Sequence, residues 1–188
     1  MTKIVRICAL ALFLAFVSGN VWADDDAETI QLFKNAGQSS AFFSKSYGYA
    51  VFPTIGKAGL GIGGAHGDGH VYEKGKVIGE TSMTQLSIGL QAGGQAYSEI
   101  IFFQDKRALN EFTSGNFEFG AGVNAIAITA AAGAETGTSG SSAGASGGKK
   151  DATTAGAYHK GMATFTIAKG GLMYEATVGG QKFSYKAK

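Results

Sequence analysis

Lys57-Ala58-Gly59-Leu60-Gly61-Ile62-Gly63-Gly64-Ala65 is the stretch that decides the fold class. Its period is two, with Gly59, Gly61 and Gly63 on one face of an extended chain and Ala58, Leu60 and Ile62 on the other. A strand with a glycine face admits another backbone, a ring or a ligand at close range. Bare glycine also weakens a strand unless something fills the space. A packed aromatic layer is the first expectation from this, and a ligand groove the second.

The same period extends outward. Upstream, Tyr49-Ala50-Val51-Phe52 reads as a short strand stopped by Pro53, the single proline. Downstream, Gly67-Asp68-Gly69 is a turn signal leading into His70-Val71-Tyr72-Glu73, and Lys74-Gly75-Lys76 turns again into Val77-Ile78-Gly79. Thr84 to Ala92 and Gln95 to Phe103 read as longer strands around Gly93-Gly94, a hairpin turn or a bulge. One helix interrupts the pattern: Asp105 caps it, Ala108, Leu109 and Phe112 form its apolar stripe, and Gly115 ends it. Phe117 to Ala132 returns to extended chain, and the Gly/Ser/Ala/Thr tract at 133–155 reads as a flexible loop. Ala163 to Ile167, Leu172 to Val178 and Lys182 to Tyr185 are the last expected strands. Residues 24–46 read as an amphipathic helical segment, with Asp25 or Asp26 as cap, Ala27, Ile30 and Phe33 on one face, and Gly37 as a stop. The sum is an α+β fold, mainly antiparallel β, in a single domain with an N-terminal helical segment and one inserted short helix.

Residues 1–23 carry the marks of a cleavable signal peptide. Lys3 and Arg6 precede an apolar run of 11 residues from Ile7 to Val17, and Val21-Trp22-Ala23 offers a cleavage site before Asp24-Asp25-Asp26. The run is shorter than the roughly 20 residues of a spanning helix. The expected product, residues 24–188, is periplasmic or secreted, with a peripheral place on an envelope membrane. Cys8, the single cysteine, falls inside the signal, so no lipid-bearing cysteine, disulfide or thiolate is expected in the remainder. Loss of Lys3 and Arg6 removes the net charge of +2 and leaves 14 cationic side chains against 14 acidic ones. That balance excludes the basic footprint of a nucleic-acid-binding protein.

Motifs of catalysis or cofactor binding do not survive their context. Gly59 to Gly64 matches the dinucleotide fingerprint G-x-G-x-x-G, but no helix opens at its last glycine to meet a pyrophosphate. Gly140-Ser141-Ser142-Ala143-Gly144 and Gly144-Ala145-Ser146-Gly147-Gly148 spell G-x-S-x-G twice inside one low-complexity tract, without the strand and helix of a nucleophile elbow. His66, Asp68 and His70 alternate, yet the glycines between them argue for a tight turn, and three such ligands make an incomplete zinc set. Glu99, Glu111, Glu118 and Glu175 are scattered, with no local pairing for acid–base work. No enzyme, metal or cofactor is expected. The remaining candidate is a lipid-binding group, Phe33, Lys34, Phe42, Phe43, Lys45 and Lys57, with rings among acyl chains and ammonium groups on phosphates. The competing reading of the same rings is that they cover one end of the sheet.

Ser46-Tyr47-Gly48-Tyr49-Ala50-Val51-Phe52-Pro53, followed by Gly56 to Gly64, closely resembles the SYLF domain, the lipid-binding module also described as an actin-regulator domain in yeast. The resemblance continues through Gly67-Asp68-Gly69 and Ile88 to Phe103, resumes from Gly170 to Gly180, and covers most of residues 28–185. It implies a non-catalytic domain whose partner is a phospholipid or membrane surface. For an exported bacterial chain that means phosphatidylglycerol, cardiolipin or outer-membrane lipid in place of phosphoinositide, and compartment alone sets actin aside. The alternative expectation is an envelope protein-interaction or structural module whose glycine-faced strands accept a partner strand or peptide.

Overall fold

The computed structural model describes residues 21–115, 117–119, 126–128 and 158–188. Among the described residues three helices come first: α1 (Val21–Asn35), α2 (Gly37–Ser40) and α3 (Phe42–Lys45). They are followed by β1 (Gly48–Glu73), β2 (Lys76–Phe103), α4 (Lys106–Phe112), β3 (Phe117–Phe119), β4 (Ile126–Ile128) and β5 (Met162–Ala187). The sheet runs β1-β2-β5-β3, with β4 paired to β5 off that path. All pairings are antiparallel except β4–β5. This is the expected α+β, mainly antiparallel domain, although its strands are far longer than expected.

Pro53 does not stop β1. The ladder shifts register between Phe52 and Ile55 and continues, so the residue without an N–H sits in a bulge. Its carbonyl accepts hydrogen bonds from Ser98 Oγ at 2.7 Å and Lys169 Nζ at 3.1 Å. Gly67-Asp68-Gly69 is likewise no turn, since Gly67 pairs with Met83 and Gly69 with Thr81 inside the ladder. Gly93-Gly94, Gly170-Gly171 and Gly179-Gly180 also lie within continuous strands. The expected turn at Lys74-Gly75 does form, with φ of 50° and 80°, the left-handed pair that a tight two-residue hairpin needs. The segment 133–155 lies outside the described residues.

What the glycines at 48, 67 and 69 receive is the other limb of the same strand. A Cβ at Gly69 would collide with the Val51 carbonyl, one at Gly67 with Ile55, and one at Gly48 with the Tyr72 carbonyl. The midpoints of these pairs fall at residues 60 and 61. β1 is therefore creased about Leu60-Gly61 and doubled back on itself, carrying β2 with it. Gly61 has φ of +74°, a conformation that side-chain-bearing residues adopt only at a cost. Beyond the crease, the Leu60–Ala92 and Ile62–Ile88 pairs set one intervening residue on β1 against three on β2.

Two apolar clusters flank the sheet. One lies inside the doubled ribbon, where Phe52, Ile55, Met83, Ile101, Phe103 and Phe183 meet Ala108, Leu109 and Phe112 of α4. α4 is capped as expected, with the Asp105 side chain accepting from the Ala108 amide at 2.8 Å. The other lies outside, where Phe33 and Phe42 of α1 and α3 cover Ile100, Phe102, Phe165 and Ile167. Ile100-Ile101-Phe102-Phe103 is thus buried on both faces, which is why that run is continuously apolar and not alternating.

Candidate functional site

The helical layer is built on a repeat of 26, 29, 30 and 33. Asp26, Thr29 and Phe33 are buried and Ile30 is half-buried, while Ala27 is exposed. The buried face is displaced from the expected one, and α1 starts at Val21, which places Asp26 inside the helix and not at its cap. The carboxylate is received by β1: Tyr72 Oη donates to Asp26 Oδ2 at 2.7 Å, and His70 Nδ1 lies 2.8 Å from the same oxygen as an ion-pair contact. Burial, then the hydrogen bond to Asp26, raises the Tyr72 pKa far above the ordinary phenol value. Tyr49 stacks on Tyr72 at 5.0 Å and is also raised, by burial and then by the Asp26 charge. Asp26, His70, Tyr72 and Tyr49 together fasten α1 to the sheet. His70 and Tyr72 lie 44 and 46 positions beyond Asp26, so no local signal announces the contact.

The three phenylalanines of the expected lipid-binding group do come together, but as a layer over the sheet. Phe33 is wholly buried and Phe42 nearly so. Phe42 packs edge-on to Phe165 at 5.0 Å and Tyr158 at 5.3 Å, and is tilted on Phe102 at 5.5 Å. Ser39 Oγ donates to the Phe33 carbonyl at 2.6 Å and Ser46 Oγ to the Phe42 carbonyl at 2.6 Å, closing the carboxyl ends of α1 and α3. Phe43 is half-buried, edge-on to Phe102 at 4.9 Å and to Tyr49 at 5.4 Å. Lys34 and Lys45 are exposed, and Lys34 Nζ stands 5.5 Å from the centre of the Phe43 ring. Lys57 belongs to β1, where it is nearly buried and not free. Of the six residues, Lys34, Phe43 and Lys45 present surface to solvent.

His66, Asp68 and His70 occupy one row of β1, but His70 is taken by Asp26, and His66 Nε2 is 3.8 Å from Asp68 Oδ1 with both side chains exposed. Among the described residues no three His, Cys, Asp or Glu side chains are grouped to hold a metal. A second buried acid lies away from these residues, at a position that reads in sequence only as one of four scattered carboxylates. Glu99 is fully buried in β2, and burial pushes its carboxyl up to about 7, against the smaller opposing effect of the Gln181 hydrogen bond. Gln181 Nε2 donates to Oε2 at 3.2 Å, and Oε1 has no hydrogen-bond partner among the described residues.

The family model described as "Las17-binding protein actin regulator" matches residues 84–187, more than half of the chain and nearly all of the β2–α4–β5 framework. The chain belongs to the SYLF family. The matched segment contains the blocks Ile88 to Phe103 and Gly170 to Gly180, while α1 to α3 and β1 precede it. The chain is also similar to "Beta cell expansion factor A" of Aeromonas veronii, 29% identical over 160 residues, which cover 84% of this chain and 53% of that protein. It thus spans about half the length of that relative. No solved structure matches it significantly. Among the described residues no helix is long and apolar enough to cross a membrane.

Proposed function

We propose that this SYLF-family chain is an exported, non-catalytic protein of the bacterial envelope that binds phospholipid at a membrane surface. The observation that carries the reading is the outer side of the helical layer, where Lys34 stands over the half-buried Phe43 ring and Lys45 lies two residues beyond it. A ring backed by the core with ammonium groups beside it suits the headgroup level, with the ring towards acyl chains and the charges on phosphates. The SYLF membership supports the reading, as does the signal-like run at 1–23. Each lysine held at an anionic surface contributes about 1 kcal/mol.

Flotation with phosphatidylglycerol vesicles tests this. Wild type is expected to float with anionic vesicles and less so at high salt, and Lys34→Glu with Lys45→Glu is expected to weaken flotation by about tenfold or more. Flotation equal to that of a lipid-free control refutes it. Export is tested separately by sequencing the amino terminus of the protein recovered from the cell envelope, where Asp24 is the expected first residue. A second reading, a module that accepts a partner strand, has its own observation: β1 is the outermost strand of the sheet order. It calls for a co-purifying envelope protein and indifference to vesicles.

A further inference from the structure

The crease of the doubled ribbon carries the most exposed large apolar side chains among the described residues: Leu60 at 84%, Ile62 at 69%, Leu86 at 70% and Ile88 at 69%. Ile62 and Ile88 are directly paired across β1 and β2, and Leu86 pairs with Gly64 beside them. Two facing rows lead to this point. On β2 the outward positions run Glu80, Ser82, Thr84, Leu86, Ile88, and on β1 they run His70, Asp68, His66, Gly64, Ile62. Both rows change from polar to apolar at the same register as they approach the crease. Residues 58–65 and 81–98 carry no Asp, Glu, Lys or Arg, and the register sets Gly180 and Val178 of β5 opposite Leu86 and Ile88.

Aliphatic side chains on an outward row cost solubility, and among the described residues neither apolar cluster includes them. The four expose on the order of 500 Å², less than the roughly 800 Å² per partner that a stable protein interface needs. A bilayer has no such threshold. An uncharged apolar tip with a polar base has the profile of a shallow insertion into the headgroup–acyl boundary.

We propose that the crease, through Leu60, Ile62, Leu86 and Ile88, inserts into the acyl region of a phospholipid bilayer. This rests on the membrane-binding reading above and places a second, apolar contact at the crease, distinct from the Lys34–Phe43–Lys45 surface.

Trp22, the single tryptophan, precedes Asp24, so the protein recovered from the cell envelope with Asp24 first leaves any introduced tryptophan as sole reporter. That protein carrying Ile88→Trp is mixed with phosphatidylglycerol–phosphatidylethanolamine vesicles whose acyl chains are brominated. Its emission is expected to shift to the blue and to be quenched by about twofold or more, whereas Thr84→Trp, on the same row nearer the base, stays unquenched. As a second measurement, Ile62→Ser, Leu86→Ser and Ile88→Ser together are expected to lower flotation by about tenfold while the melting temperature holds. If the protein floats but the Ile88→Trp chain is no more quenched than the Thr84→Trp chain, the crease proposal falls and the membrane reading stands. If wild type does not float at all, both fall. If the serine variant floats as wild type and instead turns a dimer into a monomer, the crease is a self-association surface and the proposal is overturned.

Discussion

Replacing Glu99 by glutamine isolates a carboxyl that this fold holds wholly out of water. Its folded-state value is about 7 against an ordinary 4.5. An acid raised in this way keeps its proton in the folded chain while the unfolded chain has already released it. Between pH 4.5 and 7 the unfolded state therefore binds fewer protons, and stability falls as pH rises through that window, then levels off above it. The interval corresponds to roughly 3 kcal/mol, a large share of the roughly 5–15 kcal/mol that typically holds a domain together. Glutamine keeps an oxygen that can accept from Gln181 Nε2 and cannot ionise. Urea melts followed by far-UV circular dichroism at pH 5 and pH 8 are expected to show the wild type losing about 3 kcal/mol between the two, and Glu99→Gln losing little of it. The Asp26–His70 contact is common to both proteins and cancels in the comparison. An unchanged pH slope in Glu99→Gln would refute the account, because it would mean that the buried carboxyl finds a cation or water in solution.

Gly69→Ala places a methyl group against the Val51 carbonyl and the Phe52 ring and is expected to cost about 2 kcal/mol or more, whereas Gly56→Ala meets nothing within 4 Å; paired thermal melts check the contrast. Phe42→Ala removes a ring packed on Phe102, Phe165 and Tyr158 and is expected to cost about 3–5 kcal/mol, so it unfolds α3 before it reports on lipid. Asp26→Asn takes the negative charge from beside Tyr72 and Tyr49. Their phenols are expected to titrate at lower pH than in wild type, read by absorbance near 295 nm against a Tyr72→Phe control.

Local rules carried the local features. The Asp105 cap with its Ala108–Leu109–Phe112 stripe and the Lys74-Gly75 turn each depend on neighbours in sequence, and each was legible there. The strand ends were not. Pro53, Gly67-Asp68-Gly69 and Gly93-Gly94 read as punctuation because turn chemistry is the commonest reason for such residues, but at Gly67 and Gly69 the close approach of a second backbone uses the same glycines. No pattern within β1 says that residue 69 will meet residue 51. The candidate site divides in the same way. Phe33, Phe42 and Phe43 read in sequence as one group, for a lipid interface or for one end of the sheet, and they do come together, yet which side of them faces water depends on Phe102 and Phe165, more than 50 residues away. Asp26 and Glu99 gave no sign of their burial, because His70, Tyr72 and Gln181 reach them only through the fold.

The pairing of β2 with β5 sets an order on folding. Gly79 pairs with Ala187, 108 residues on, and Phe103 with Met162, 59 residues on. While the chain is being made, β2 is an open edge of 28 residues with β1 on one side and nothing on the other. Such non-local pairing is slow because the loop must close before any contact is gained. The sheet is therefore completed only once the last strand exists. In that interval Ile100-Ile101-Phe102-Phe103 is bare on its unpaired edge, the segment most in need of a holding chaperone.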